Sequence, residues 1–382
     1  MNPKSFIAAM VLLLVAGFVM IDHHSARAGD VNPTSGYKVI EPIRHGNLTV
    51  FPVVAAKTYP TGEFLTLDEG LHSGEVLVAE AGSVQGLIRR HGTPAVRHDG
   101  AEVNRLVLVN NSKRPLLLLA GEIVSGGRQD RVIGKDRIVP PESEPVDLNV
   151  FCVEPGRWVA TTEHFGASEA LYGKRAGTSI GGPVPMAIMA QPSVRGKAMA
   201  DKDQNQVWNE VNKQKAAMAV EVQAAAPGVA TEMRQVTSYA KVNENVEVRK
   251  QVDSVVRPIE QSYQSLIHQL RDRNAVGVVV AVNGRIIWAD VFASTDLLNK
   301  YWPKLVRSYA SEAVVTRAKE AEVTTKQADA FLADMEGRRE MIESEPGIYR
   351  HTEVTGDGFK AFSLTSLLPK TGFEVHVAKM AE

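Results

Sequence analysis

Six consecutive apolar residues, Pro115 to Ala120, run straight into Glu122, Arg128, Gln129, Asp130, Arg131, Lys135, Asp136 and Arg137. A short apolar run of this kind reads as a strand buried on both faces. Charge set directly beside such a strand is costly unless the groups pair with one another or face a cleft. The rest of the chain must therefore enclose the strand and still satisfy its charged neighbours.

The surrounding pattern is β. From Tyr37 to Trp158, short apolar or alternating runs recur at Leu48–Val54, Glu75–Ala79, Asn104–Val109, Arg128–Ile133, Arg137–Val139 and Val146–Val153. Gly74, Gly82, Asn110-Asn111, Gly126-Gly127, Gly134 and Pro140-Pro141 punctuate them. Many short strands at this spacing predict an antiparallel β sandwich or barrel-like domain over residues 37–165. Residues 166–203 are rich in Gly, Pro, Ala, Met and Ser with no sustained period, and read as a flexible connector.

Residues 204–382 read as an α+β unit. Helices are predicted at Gln204–Val222, at Glu244–Arg273 (kinked or divided by Pro258), at Leu297–Ala321 with Ser294 as N-cap, and at Thr325–Ile342. A flexible break separates the first two around Ala224–Ala230. Asn283-Gly284 joins two β-rich runs into a hairpin over residues 276–292, and Gly356-Asp357-Gly358 centres another over 348–364. The run Gly372–Ala378 is edge-like. The fold class is α+β, an N-terminal antiparallel β domain followed by a helix-and-hairpin unit.

The N-terminus points to export. Lys4 precedes the apolar run Phe6 to Ile21, and Ala26-Arg27-Ala28 forms a small-x-small cleavage site, so residues 1–28 read as a cleavable signal peptide. As a helix the run spans about 24 Å, short of the ~30 Å hydrocarbon core, and an uncleaved anchor is the alternative. A lipid-anchored form is excluded because the sole cysteine is Cys152, which also rules out an intrachain disulfide. The expected location is periplasmic or extracellular, with membrane contact only through the leader.

Several function classes fall away. A net charge of −1 argues against nucleic acid held through phosphate contacts. Metal motifs such as HExxH, CxxC and an Asp-rich calcium loop are missing, as are the GxxxxGK[ST] and GxGxxG nucleotide fingerprints, so neither metal nor cofactor is expected. Gly177-Thr178-Ser179-Ile180-Gly181 fits GxSxG, but Lys174-Arg175 before it and Gly182-Pro183-Val184-Pro185 after it deny the strand and helix that motif needs.

The charged segment supplies the candidate site. Strand alternation from Arg128 puts Gln129 and Arg131 on one face with Ile133, and the Gly126-Gly127 turn brings Glu122 toward Arg131. One reading is a polar pocket in which Arg131 binds a small carboxylate or other anion bidentately. Gln129, Arg128 and Arg157 would assist, and Glu122 or Glu154 would be available as general acid or base. The other is a salt-bridge ladder on a solvated face. Cys152 shares an apolar strand face with Val146, Leu148 and Val150 and reads as a core thiol; a reactive thiolate beside Arg157 or His164 is the alternative. Trp158, after the Glu154-Pro155-Gly156-Arg157 turn, reads as a core plug.

GEIVSGGRQDRV followed by FCVEPGRW resembles the ARG and rhodanese-phosphatase superfamily-associated protein domain family. The likeness is strong over Pro115–Trp158 and extends more loosely from Leu48 to Tyr309, including VVAVNGRIIWADVF. Glu122, Gln129, Arg131, Cys152, Glu154, Arg157 and Trp158 stand at positions characteristic of that family. The resemblance implies an association with ADP-ribose-processing proteins, and hence a nucleotide-sugar ligand. The leader departs from that setting, since NAD-linked metabolites are scarce outside the cytoplasm. Three functions remain: a non-enzymatic binding module, a hydrolase or transferase using the same pocket on an ADP-ribose-like compound, and a structural envelope protein.

Overall fold

A computed structural model describes residues 36–81, 104–157, 162, 164–166, 188–270, 274–317 and 321–382. The leader, Trp158 and the Gly177–Gly181 motif lie outside them. Alternating strands close a six-strand antiparallel barrel. Val76–Glu80 pairs with Arg105–Asn110, which pairs with Val146–Cys152; Arg131–Ile133, Glu122–Gly126 and His164–Gly166 follow, and the last returns to Val76–Glu80. Closure leaves no unpaired edge in the ring. Val76, Val78, Leu106, Leu108, Leu148 and Val150 fill its interior at the period of two that a pleated strand dictates.

The apolar run at Pro115 behaves as its composition requires. Leu116 and Leu118 enter the barrel core, while Leu117, Leu119 and Ala120 enter the main core behind it. Its strand, Leu116–Leu118, pairs with Arg137–Val139 and Leu65–Thr66 in a small separate sheet.

A second, larger antiparallel sheet runs in the order Tyr37–Val39, Leu48–Ala55, Asn274–Val282, Arg285–Phe292, Glu374–Ala381, Phe359–Ser366, Tyr349–Gly356, Arg338–Glu345. Helices Val246–Gln269 and Thr295–Val315 cover one face, where Val50, Val278 and Val280 meet Ile259, Leu305 and Tyr309. The short helix Thr325–Ala333 covers the other through Ala328 and Leu332. Asn283 (φ 53°) and Gly284 (φ 69°) form the hairpin turn expected of them, and the Ser294 hydroxyl caps its helix by accepting from Leu297 N at 3.1 Å.

The structure differs from several sequence expectations, and the described end of the 166–203 connector is no flexible linker: Ile188–Met189 is a strand and Pro192–Gly196 a helix, with Arg195 fully buried. Residues 37–55 join the C-terminal hairpin, pairing with Asn274–Val282, instead of the barrel. The helix from Thr325 stops at Ala333, and Arg338–Glu345 is a strand. Its sequence RREMIESE has no apolar period, so its partner Tyr349–Gly356 decides its conformation; Gly337 lets Thr355 O come within 2.3 Å of where a Cβ would stand. The C-terminal run is no edge, since Glu374–Ala381 is hydrogen-bonded on both sides. The break after Ala224 is short, because Pro227 opens a further helix, Pro227–Gln235. Pro258 lies within one helix instead of dividing it, and the helix from Thr295 ends at Val315.

Candidate functional site

Gly126 (φ 129°) and Gly127 (φ 48°) turn the chain in a way L side chains resist, so only Arg131–Ile133 remains strand, not the whole run from Arg128. Carboxylates satisfy three of the N–H groups of the turn, and the Thr162 hydroxyl takes that of Gly127 (3.0 Å). Gly126 N donates to Asp130 Oδ1 (3.1 Å), Arg128 N to Glu80 Oε1 (2.7 Å), and Asp130 N to Glu154 Oε2 (3.1 Å). Arg157 pairs with Glu154 at 2.6 Å and donates to Gly127 O at 3.0 Å. Gln129 Nε2 donates to Glu154 O (3.1 Å), and Arg131 Nη1 to Gln129 O (2.7 Å).

Five of the six sequence candidates, Arg128, Gln129, Arg131, Glu154 and Arg157, are therefore gathered around one turn. Arg131 and Gln129 are buried there, while Arg128 and Arg157 are half-buried. Glu122 goes elsewhere. The hairpin sets Val124 opposite Arg131, and the Glu122 carboxylate accepts from Leu119 N (2.7 Å) and from Lys304. Cys152 is buried in the core, where desolvation pushes its thiol up.

Lys304 is the residue the sequence reading missed. It projects from Thr295–Val315, is fully buried, and meets both Asp68 (2.5 Å) and Glu122. Burial alone would lower its ammonium pKa, but the two carboxylates reverse that and hold it charged. Burial, with Asp68 nearby, raises Glu122. Lys304 also lines a recess of about 30 Å³ together with Arg249, Arg307, Asn243, Ser308 and Ser311. That volume suits two waters or one small anionic group. Arg307 is paired with Asp253 at 2.6 Å, whereas the half-buried Arg249 guanidinium has no partner among the described residues.

A third polar cluster fastens the barrel to the large sheet. Asp290 accepts from Arg195 through both oxygens (2.9 and 3.0 Å), from Tyr309, and from His376 Nε2 (3.1 Å). His376 Nδ1 meets Asp136 at 2.6 Å, Asp136 takes Ala120 N at 2.7 Å, and Arg195 Nε returns to Ala120 O at 3.2 Å. The four charged members, Asp290, Arg195, His376 and Asp136, are fully buried. Gly121 makes room for this: a Cβ there would sit 2.5 Å from Arg195 Cγ. Carboxylates at both ring nitrogens call for the doubly protonated imidazolium, which donates twice.

This cluster sets a pH dependence. Burial would lower His376, but Asp136 and Asp290 outweigh it and push the imidazole up to about 9 from 6.5. His376 therefore contributes stability that is complete below pH 6.5 and fades as pH rises through 9. His351 is the converse. It is buried with neither ring nitrogen partnered among the described residues, and desolvation lowers it to about 4. Its folded form refuses the proton, so its contribution is complete above pH 6.5 and lost as pH falls toward 4. These two groups by themselves place the maximum of unfolding free energy near pH 6.5, each removing about 3 kcal/mol on its own side. Urea titrations from pH 4 to 9 check this, and a flat profile would count against it. His351→Phe should relieve the acid limb alone.

Fold and site together define an α+β protein in which a closed six-strand barrel is fastened to an antiparallel sheet by buried ion clusters. The profile of the ARG and rhodanese-phosphatase-superfamily-associated protein domain matches residues 36–379, and the chain belongs to that family. No curated protein and no solved structure matches it.

Proposed function

We propose that this is an exported binding module whose recess at Lys304 takes a small ligand through a carboxylate or comparable anionic group. The observation that carries the reading is the Arg249 guanidinium, half-buried and unpartnered among the described residues, on the wall of a recess that also holds Lys304 and Arg307. A guanidinium held in a concavity is suited to bidentate capture of a planar anion. The Ser308 and Ser311 hydroxyls and the Asn243 amide add hydrogen-bonding capacity. The reading keeps the anionic ligand expected from the sequence. It moves that ligand away from the Gly126–Arg131 turn, whose groups are engaged with one another. Neither Glu122 nor Glu154, the acid/base candidates of the sequence, lines the recess, whose one carboxylate is Glu244.

Calorimetric titration of the protein with succinate, glutamate, inorganic phosphate and ADP-ribose tests this. At least one is expected to bind, and Arg249→Ala is expected to weaken that ligand by about tenfold or more, the loss of a charge-assisted pair, with unfolding unchanged. Equal affinity in the variant, or no binding by any of the four at millimolar concentration, overturns the reading. An intact mass corresponding to a chain starting at Gly29 checks the export step.

A further inference from the structure

A separate cleft of about 500 Å³, sharing no lining residue with that recess, is walled by Ser193, Lys197, Glu210, Lys213, Trp288 and Glu312 among others. Its size is that of a small-molecule site. Along one wall the hydrogen bonds run in a fixed direction. Gln214 Nε2 donates to Glu210 Oε1 (2.6 Å) and to Ser193 Oγ (2.9 Å), and Ser193 Oγ donates to Glu312 Oε2 (2.7 Å). Because the Gln214 amide nitrogen can only donate, the Ser193 proton is directed to Glu312. Burial raises the Glu312 carboxyl, and Glu210 nearby adds to the effect, which makes its carboxylate a stronger base than an exposed one.

Two buried polar atoms, one behind the Ser193 wall and one on a residue lining the cleft, have no partner among the described residues. They are Gln214 Oε1 and the indole N–H of Trp288, a residue 1% exposed that lines the cavity. Ser193 Oγ stands within hydrogen-bond reach of both the base Glu312 and the orienting Gln214, a nucleophile–base pairing of the kind an activated hydroxyl needs.

The geometry points to a second, catalytic site in this cleft, with Ser193 as nucleophile, Glu312 as general base and Gln214 as the positioning residue, acting on a small carboxylic ester. Ser193 Oγ attacks the ester carbonyl carbon as its proton passes to Glu312. The bond to the alcohol oxygen breaks, and Glu312 returns the proton to the departing alkoxide. Water, deprotonated by the same carboxylate, then cleaves the acyl-serine to free acid and restores the hydroxyl.

A purely structural clasp would make the same bonds, since Glu312 Oε2 also accepts from Ser193 N at 3.0 Å. A fluorophosphonate separates the two. Attack forms the Ser193 Oγ–P bond, expels fluoride and sends the hydroxyl proton to Glu312. Incubating the whole wild-type protein with the reagent, followed by peptide mass mapping, is expected to show one adduct on Ser193. Ser193→Ala is expected to abolish labelling, and Glu312→Gln to slow it by about tenfold or more, as for loss of a general base, with the circular dichroism of both variants unchanged. Unlabelled wild-type protein, an adduct elsewhere, or undiminished labelling of Glu312→Gln overturns the assignment. The first of these needs no variant, so misfolding of a substituted chain does not rescue it.

Discussion

Asp290→Ala is expected to destabilise the protein by about 3–5 kcal/mol, the range for removing one partner of a buried ion pair. Among the described residues Asp290 is the acceptor shared by Arg195, Tyr309 and His376, and it sits on a central strand with no exposed surface. Without it the guanidinium keeps its bond to Ala120 O and its seat over the Trp288 ring at 4.5 Å, but its charge is left uncompensated. His376 would retain Asp136 alone. Denaturant unfolding measures the loss, and a double-mutant cycle with Arg195→Ala identifies its source. The two substitutions are expected to be strongly non-additive, because once Asp290 is gone Arg195 becomes a burden. Additive effects, or a cost near 1 kcal/mol, would show that the cluster does not clamp barrel to sheet.

That cluster also shows what a single sequence conceals. Asp136 stood out because it crowds an apolar strand, yet its partner His376 lies 240 positions away, and Arg195 and Asp290 are 95 apart. No local period joins them. What the sequence shows is an ionisable residue flanked by apolar ones: Asp290 between Ala289 and Val291, Lys304 near Trp302 and Leu305, His376 between Val375 and Val377. Such a residue must find a buried partner, and that rule alone would have flagged all three.

The elements themselves were legible where local chemistry decides them. The barrel strands follow the period of two, the Asn283-Gly284 turn follows from left-handed backbone, and the Ser294 cap follows from its hydroxyl. Misreadings fell where a distant partner decides. Arg338–Glu345 takes its form from Tyr349–Gly356, and Leu48–Ala55 is a strand either way but crosses to a sheet formed more than 200 residues later. At the candidate site, glycine-driven curvature defeated the alternation argument from Arg128. Charge is packed beside a buried strand in this segment, as its sequence implies. The turn folds Gln129 against Glu154 and Arg131 against Gln129, and sends Glu122 to a different cluster.

Lys304→Met tests whether that second cluster is structural, functional or both. Methionine fills much of the same volume, so little cavity forms, and the cost lies in leaving Asp68 and Glu122 buried without their cation. The expected loss at pH 7 is again about 3–5 kcal/mol. It should also depend on pH in a defined sense. Burial raises Glu122 even with Lys304 present, and deleting the ammonium raises it further. A carboxyl whose folded pKa lies above its unfolded value adds stability below that value and withdraws it as pH rises. The variant should therefore recover ground on the wild type as pH falls from 7 toward 5, because a protonated Glu122 needs no counter-charge. Adding Glu122→Gln to Lys304→Met should restore part of the stability at pH 7 for the same reason. Binding then separates the roles of the recess. Arg249→Ala should weaken an anionic ligand with stability intact, whereas Lys304→Met should lower both, since Lys304 holds the helix to the barrel and lines the recess. A Lys304→Met variant as stable as wild type at pH 7, or one whose deficit ignores pH, would mean that Asp68 and Glu122 are not held by this lysine.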